Sequence, residues 1–184
     1  MAKWFKICLL GWFAVWISVA LSNAGELGMD TIRSNDSSWK YFSDQVMGGR
    51  SQGKAELLSE NSKPFLRMKG IVTVENNGGF IQIRSAVGKL KKTLEGIEIK
   101  VRGNGERYYV FVRTTSTILP WQYYKAPFET KADWNNVQLK FSEFDRSSAW
   151  LKRKIAPDSI KSIGIVAFGR NHEALIDVSE VNFF

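Results

Sequence analysis

The chain has 184 residues, of which 44% are hydrophobic and 13% aromatic, and it carries a formal net charge of +8. This apolar content excludes a disordered chain, which would be poor in apolar residues and rich in charge. The length predicts one domain that buries a core without disulfides or a structural metal. The positive charge favours acidic partners, but it is also typical of a solvated surface without a binding role.

The first 24 residues predict a signal peptide that is cleaved after export. Two lysines come first, the apolar run 7–21 follows, and residues 22–24 are Ser-Asn-Ala, with small residues where signal peptidase needs them. The run is shorter than the roughly 20 residues of a membrane-spanning helix, so an uncleaved anchor is the weaker alternative. The one cysteine, Cys8, lies inside this run. A cysteine-free exported chain favours a periplasmic protein over a fully secreted one.

Residues 25–38 are polar and predict a mobile leader, and residues 39–184 predict a single domain of short strands. The clearest strand is 97–102, in which apolar and polar residues alternate strictly, as they do when one face packs on a core. The Gly-Asn-Gly sequence at 103–105 then predicts a hairpin turn into a partner strand at 108–113. Further strands are predicted at 65–74, 80–85, 121–128, 134–140, 160–168 and 174–183, with a weaker one around Leu57 and Leu58.

Many short strands separated by turn residues, with no sustained helical period, predict an all-β fold. We expect an antiparallel β-sandwich of the jelly-roll type. A closed lipocalin-like barrel is the alternative, which the irregular spacing of the strands disfavours. The segment 142–155 predicts a short helix or a long loop.

The sequence contains little that is typical of a catalytic site. His172 is the only histidine, and its polar turn favours a surface residue over a general base. Carboxylate pairs such as Glu56 and Glu75 have no spacing that selects them for glycoside hydrolysis. There is no nucleophile elbow, no phosphate-binding loop and no metal-ligand spacing. We therefore expect a protein that is not an enzyme and has no cofactor, and the lack of a dense basic run argues against nucleic acid.

Two glycine-rich segments stand out from the rest of the chain. Residues 43–51 are Ser-Asp-Gln-Val-Met-Gly-Gly-Arg-Ser, and residues 75–80 are Glu-Asn-Asn-Gly-Gly-Phe. Paired glycines cost conformational entropy unless the backbone uses a positive φ or a close approach. The segments predict either two tight turns, in which Asp44 and Asn77 bond to local backbone, or two loops that approach a ligand or each other.

These two segments, in this order, resemble the signature of the NADH:ubiquinone oxidoreductase (complex I) intermediate-associated protein family. Arg84, the turn at 102–105, the segment 123–128 and Trp134 before an apolar strand are similar to further motifs of that family. The resemblance spans residues 39–184. It implies a galactose-binding-domain-like β-sandwich and a non-enzymatic role in the assembly of respiratory complex I, with no catalytic residue to carry over.

Two functions are consistent with these features. The first is a binding or assembly module of the cell envelope with a protein partner, for which the resemblance implies a membrane respiratory complex. The positive charge adds peripheral contact with an anionic membrane surface to this first hypothesis. The second is a carbohydrate-binding module for envelope or extracellular glycans, which would use aromatic stacking and a few hydrogen bonds. The candidate residues for the partner or ligand are Asp44, Met47, Gly48, Gly49, Asn76, Asn77, Gly78, Gly79, Arg84, Arg102, Asn104, Trp121, Tyr123 and Tyr124.

Some of these candidates also have a structural interpretation. Trp121, Tyr123 and Tyr124 predict an exposed patch, because Tyr and Trp anchor interfaces, or a run whose alternate members fill the core. Arg84 and Arg102 each stand at a strand end beside a turn. They predict an ion pair with a local carboxylate such as Asp44, which we prefer, or a contact with a ligand.

Overall fold

The computed structural model describes residues 31–184, so the predicted signal peptide and residues 25–30 of the predicted leader lie outside the described residues. Within this range the chain forms twelve strands and four short 3₁₀ turns. No helix between residues 31 and 184 is long and apolar enough to cross a membrane. The strands are β1 (Thr31–Arg33), β2 (Lys40–Ser43), β3 (Gln52–Glu60), β4 (Lys63–Val72), β5 (Phe80–Ala86), β6 (Gly96–Gly103), β7 (Arg107–Thr114), β8 (Tyr124–Glu129), β9 (Asn135–Lys140), β10 (Asp145–Arg146), β11 (Ile160–Phe168) and β12 (His172–Phe183).

The strands form two antiparallel sheets with one hydrophobic core between them. Sheet A has the order β3-β4-β12-β6-β9, with β1 also paired to β12, and sheet B has the order β10-β8-β7-β11-β5-β2. Along most strands alternate residues point into the core, where Met68, Tyr108 and Tyr124 are among the largest fully buried side chains. The predicted antiparallel β-sandwich is confirmed, and the alternative of one closed barrel is wrong.

The hairpin predicted at 103–105 is wrong, because β6 and β7 belong to different sheets. β6 pairs with β12 and β9 in sheet A, whereas β7 pairs with β11 and β8 in sheet B. The Gly-Asn-Gly sequence therefore carries the chain across the sandwich. Gly105 has a φ of 82°, a left-handed conformation that a hairpin turn would also need. The turn residues thus predicted the change of direction but not the sheet of the next strand.

Asn104 and Tyr108 hold this crossing in place. The Tyr108 hydroxyl donates a hydrogen bond to Asn104 Oδ1 at 2.8 Å and accepts one from the Leu175 amide at 2.8 Å. Asn104 Nδ2 also donates to the Glu173 carbonyl at 2.9 Å. Burial raises the pKa of Tyr108 to about 12, so its hydroxyl stays protonated and available as a donor. The two residues link sheet A to sheet B at this end of the sandwich.

Residues 31–38 were predicted as part of a mobile leader, and the structure corrects that prediction. β1 pairs with the end of β12, with Thr31 opposite Asn182. Ile32 is buried in the core, and Trp39 Nε1 donates to the Arg33 carbonyl at 2.9 Å. One apolar residue between two polar ones is too short a pattern to predict a strand.

The segment predicted as a short helix or a long loop is mainly a loop. A 3₁₀ turn covers Phe141–Glu143, and the two residues of β10 follow it. From residue 147 to the 3₁₀ turn Pro157–Ser159 the chain is irregular. Leu151 and Ile155 are buried and anchor this stretch on the core.

Candidate functional site

Asp44 joins the two glycine-rich segments. Its carboxylate is fully buried and accepts four hydrogen bonds, from the Ser51 amide at 2.9 Å, the Ser51 hydroxyl at 2.5 Å, the Gly79 amide at 2.5 Å and the Phe80 amide at 3.2 Å. Burial alone would raise the pKa of Asp44, but the hydrogen bonds from Gly79, Ser51 and Phe80 outweigh it and hold the pKa below its ordinary value. The loops of the two segments therefore meet each other through Asp44.

The close approach of the loops explains two of the glycines. A Cβ atom on Gly49 or on Gly78 would overlap the carboxyl group of Asp44. Gly48 and Gly79 instead have positive φ angles, of 86° and 125°. Gly49 and Gly78 thus allow the loops to enclose Asp44 between them.

We expect Gly49→Ala to lower the free energy of unfolding by about 2–3 kcal/mol, because the new methyl group has no space beside the buried Asp44 carboxylate. Gly48→Ala is the matched control. A Cβ on Gly48 meets no atom within 4 Å, so only its left-handed φ adds strain, of about 1 kcal/mol. Urea denaturation of both variants measures the difference, and equal losses would contradict the steric explanation.

We call Asp44 and the two glycine-rich loops that enclose it the joint. Beside it, the outer face of sheet B forms a cleft of about 450 Å³, which we call the aromatic cleft. Its floor is formed by strand residues that alternate with core residues, since Phe80, Gln82 and Arg84 point outward while Ile81 and Ile83 point inward. Its rim is formed by the loops around residues 46–47, 77–78 and 120–121. The lining residues are Phe42, Val46, Met47, Asn77, Gly78, Phe80, Gln82, Arg84, Phe111, Arg113, Pro120, Trp121, Tyr123 and Phe168.

Stacked rings cover the floor of the aromatic cleft. Tyr123 lies flat on Phe111, with ring centroids 4.0 Å apart and ring planes 11° apart. Phe168 meets Phe111 edge-on at 5.5 Å. At the rim, Val46, Met47 and Trp121 are 72%, 63% and 64% exposed, which is a large apolar exposure for one site. The cleft therefore offers a flat aromatic floor and an apolar rim.

The charges in the aromatic cleft are positive. The guanidinium of Arg84 lies 4.3 Å from the centroid of the Phe42 ring, and among residues 31–184 it has no hydrogen bond or ion pair. Arg113 donates to the Pro120 carbonyl at 2.5 Å. Burial lowers the pKa of Arg113, and the nearby positive charge of Arg84 lowers it further. No carboxylate is among the lining residues, so the two guanidinium groups lack a counter-charge within the cleft.

The ion pair predicted between Arg84 and Asp44 is wrong. Asp44 is enclosed by the amides and the hydroxyl described above, which leave no access for a guanidinium. Arg84 lies over an aromatic ring at the floor of the cleft instead. The other alternative, a contact with a ligand, stays a prediction.

Arg102 forms an ion pair, but with residues other than Asp44. Its Nε donates to Asp177 at 2.8 Å, and its Nη1 donates to Glu60 at 2.8 Å. Arg67 donates to both oxygens of Asp177, at 2.7 and 2.8 Å. Burial would raise the pKa of Asp177, but the two arginines outweigh it and keep the pKa below its ordinary value. This network lies on sheet A, away from the aromatic cleft.

The structure brings some of the sequence-predicted candidates together and separates the others. Those that line the aromatic cleft are Met47, Asn77, Gly78, Arg84, Trp121 and Tyr123. Those in or next to the joint around Asp44 are Asp44 itself, Gly48, Gly49, Asn76 and Gly79. Arg102 belongs to sheet A and Asn104 to the crossing between the sheets. Tyr124 is a core residue, 1% exposed, whose hydroxyl donates to the Lys152 carbonyl.

Sequence reasoning missed eight lining residues, which are Phe42, Val46, Phe80, Gln82, Phe111, Arg113, Pro120 and Phe168. Period-two alternation along β5 and β7 was the available signal, because it marks 80, 82 and 84 as one face and 111 and 113 as another.

The polar turn of His172 holds its Nδ1 at 2.9 Å from the Arg170 carbonyl. Between residues 31 and 184, no group of three or more His, Cys, Asp or Glu side chains is arranged to hold a metal.

In fold, the chain is similar to carbohydrate-binding modules. The family 11 module of the cellulosomal cellulase Lic26A-Cel5E of Clostridium thermocellum matches with a TM-score of 0.66 and 13% identity, over 84% of this chain and 92% of the module. The Clostridium thermocellum module in complex with a β-1,3-1,4-mixed-linked tetrasaccharide matches with 0.66 and 14%, over 84% and 94%. A family 30 module gives 0.55 and 12%, over 83% and 87%. The predicted jelly-roll, galactose-binding-domain-like sandwich is confirmed, and at these identities the likeness concerns the fold alone.

The sequence assigns the chain more narrowly than the fold does. It belongs to the complex I intermediate-associated protein 30 (CIA30) family, whose model matches residues 30–176. The family resemblance seen in the two glycine-rich segments is thereby confirmed. No curated protein matches the chain.

Proposed function

We propose that this protein is a non-enzymatic binding module of the cell envelope that holds a protein partner during the assembly of a membrane complex. Its binding site is the aromatic cleft. Membership of the CIA30 family supports the assembly role, and the predicted signal peptide would deliver the chain to the envelope. The cleft lining supports binding rather than catalysis, since it consists of aromatic, apolar, amide and cationic groups.

The observation that carries this proposal is the combination of an apolar rim with two guanidinium groups that have no carboxylate beside them in the cleft. Val46, Met47 and Trp121 lose solvent contact only when a partner covers them, and burial of such side chains drives protein association. Arg84 and Arg113 form their strongest hydrogen bonds with carboxylates. The partner segment that fits is therefore one that carries Asp or Glu beside apolar side chains.

Carbohydrate binding is the second candidate, and the flat ring of Tyr123 favours it. Sugar rings stack on such surfaces, while amides such as Asn77 and Gln82 supply hydrogen bonds. The fold neighbours are carbohydrate-binding modules, one of them solved with a bound tetrasaccharide. Because the cleft is cationic, an acidic glycan would fit it better than a neutral one.

We expect Tyr123→Ala and Arg84→Gln each to weaken partner binding by at least tenfold, since both groups line the floor of the cleft. A photo-crosslinking amino acid in place of Met47, in cells that export the chain with its own N-terminus, captures the partner for mass spectrometry. Crosslinking yield and the affinity for the purified partner then give the effect of each substitution. Arg107→Gln, an exposed arginine outside the cleft, is the matched control.

The captured molecule separates the two candidates. Membrane-complex subunits recovered from position 47, and lost with Tyr123→Ala, would support the assembly module. A glycan array that responds to acidic sugars, with no protein captured, would favour the carbohydrate-binding alternative. Equal capture from position 47 and from position 57, an exposed residue at the edge of sheet A, would refute a specific site in the cleft.

A further inference from the structure

Two neighbouring loops beside the aromatic cleft carry the most exposed large apolar side chains of residues 31–184. Trp150 is 93% exposed in the loop 147–156, and Ile118 is 85% exposed in the loop 115–123. Ser147 joins the two loops, because its hydroxyl donates to the Trp121 carbonyl at 2.9 Å and accepts from the Tyr123 amide at 3.0 Å. The two loops therefore contact each other at one end of sheet B.

The backbone around Trp150 is held firmly although its side chain is exposed. Leu151, the next residue, is 2% exposed and packs on the core, as does Ile155. Arg146 Nη1 donates to the carbonyls of Ala149 and Leu151, at 2.9 and 2.7 Å. These contacts fix the chain on both sides of Trp150. An indole presented in this way exposes a large apolar area that only an external partner can cover.

Three basic residues come directly after the buried Leu151, and all three side chains are exposed. Lys152, Arg153 and Lys154 have no ion pair among the described residues. Neither loop contains an acidic residue. The nearest acidic residue further along the chain is Asp158, whose carboxylate faces Lys92 at 3.6 Å, and before the loop Asp145 is exposed on β10. The surface thus combines two projecting apolar side chains with three uncompensated positive charges.

We propose that this surface binds an anionic phospholipid membrane, with Trp150 and Ile118 at the boundary between headgroups and acyl chains and the three basic side chains on lipid phosphates. Trp is enriched at that depth of a bilayer because its ring is amphipathic. A projecting indole beside flexible cations suits a fluid surface, whereas a protein partner would need a shaped pocket to receive it. This inference does not depend on the occupant of the aromatic cleft.

Co-sedimentation tests the proposal, with the chain as it accumulates in the envelope and vesicles of phosphatidylcholine alone or mixed equally with phosphatidylglycerol. We expect binding to the mixed vesicles only, and weaker binding at high salt. Each basic side chain near an anionic surface contributes roughly a factor of five, so Lys152→Gln, Arg153→Gln and Lys154→Gln together lower binding about a hundredfold. Trp150→Ala lowers it about tenfold.

The matched control removes three positive charges elsewhere, through Arg107→Gln, Lys131→Gln and Arg170→Gln, which lie at the opposite end of sheet B. The proposal predicts that this control binds the mixed vesicles nearly as the unchanged chain does. Equal losses in the two triple variants would reduce the effect to net charge and overturn the proposal. If the chain bound neither kind of vesicle, the proposal would be overturned. A protein captured in cells only when Trp150 and the three basic residues are present would then show a protein-docking surface.

Discussion

Asp44→Ala is expected to lower the free energy of unfolding by about 3–5 kcal/mol, and the melting temperature by about 10 °C. The substitution removes the common acceptor of four hydrogen bonds and leaves the amides of Ser51, Gly79 and Phe80 without a partner in the interior. The two glycine-rich loops then lose the group that joins them. Urea denaturation at neutral pH measures the loss.

Asp44→Asn and Asp133→Ala are the controls for this result. Asp133 is exposed, so its loss should change the free energy of unfolding by no more than about 0.5 kcal/mol. Asp44→Asn keeps the shape of the side chain and should fall between the other two. A loss below about 1 kcal/mol for Asp44→Ala would show that the carboxylate does not hold the two loops together.

The pH dependence of Asp44→Asn tests the charge of the joint. The folded-state pKa of Asp44 lies below its ordinary value, so its stabilising contribution is complete above the unfolded-state pKa of about 3.9. That contribution is lost as the pH falls through the folded-state pKa. The difference in unfolding free energy between the unchanged chain and Asp44→Asn should therefore be largest near neutral pH and shrink in acid.

Asp177→Ala is the second large effect, with an expected loss of about 3–5 kcal/mol of unfolding free energy. Asp177 is buried on sheet A and accepts hydrogen bonds from Arg67 and Arg102. Its removal leaves two like charges side by side with no carboxylate between them. Thermal and urea unfolding of the variant measure the cost.

Glu60→Ala is the matched control for Asp177→Ala, because Glu60 binds the same Arg102 but its side chain is 51% exposed. Exposed ion pairs contribute about 1 kcal/mol or less. We therefore expect a small loss for Glu60→Ala and a several-fold larger loss for Asp177→Ala. Similar losses would show that burial does not decide the strength of this network.

The sequence predicted most strands but not how they are distributed between the sheets. Alternation along β6 and β7 marks which residues face a core, and each core face looks the same whichever sheet the strand joins. The turn residues at 103–105 suit a hairpin and a crossing equally. The difference depends on pairing with β12 and β11, which are far away in the chain. Local pattern contains no information on that choice.

The candidate site shows the same limit. The glycine-rich segments were recognisable, and so was the alternative that they approach each other. Whether Asp44 faces a ligand or the second loop depends on a contact across 35 residues. Phe111 and Phe168 were predicted as strand residues, but their meeting at one floor follows from the order of β7 and β11 in sheet B. Three-dimensional pairing, rather than residue type, created the cleft.

The place of β12 in sheet A has a consequence for how the molecule folds. This last strand lies at the centre of its sheet and pairs with β4, β6 and β1, so Thr31 finds its partner Asn182 only when nearly the whole chain is available. Such sequence-distant pairing makes folding slow, because the chain loses the entropy of closing a long loop before the stabilising contacts form. Sheet A therefore cannot be completed until β12 has joined β4 and β6, whereas every strand of sheet B comes before β12 in the chain.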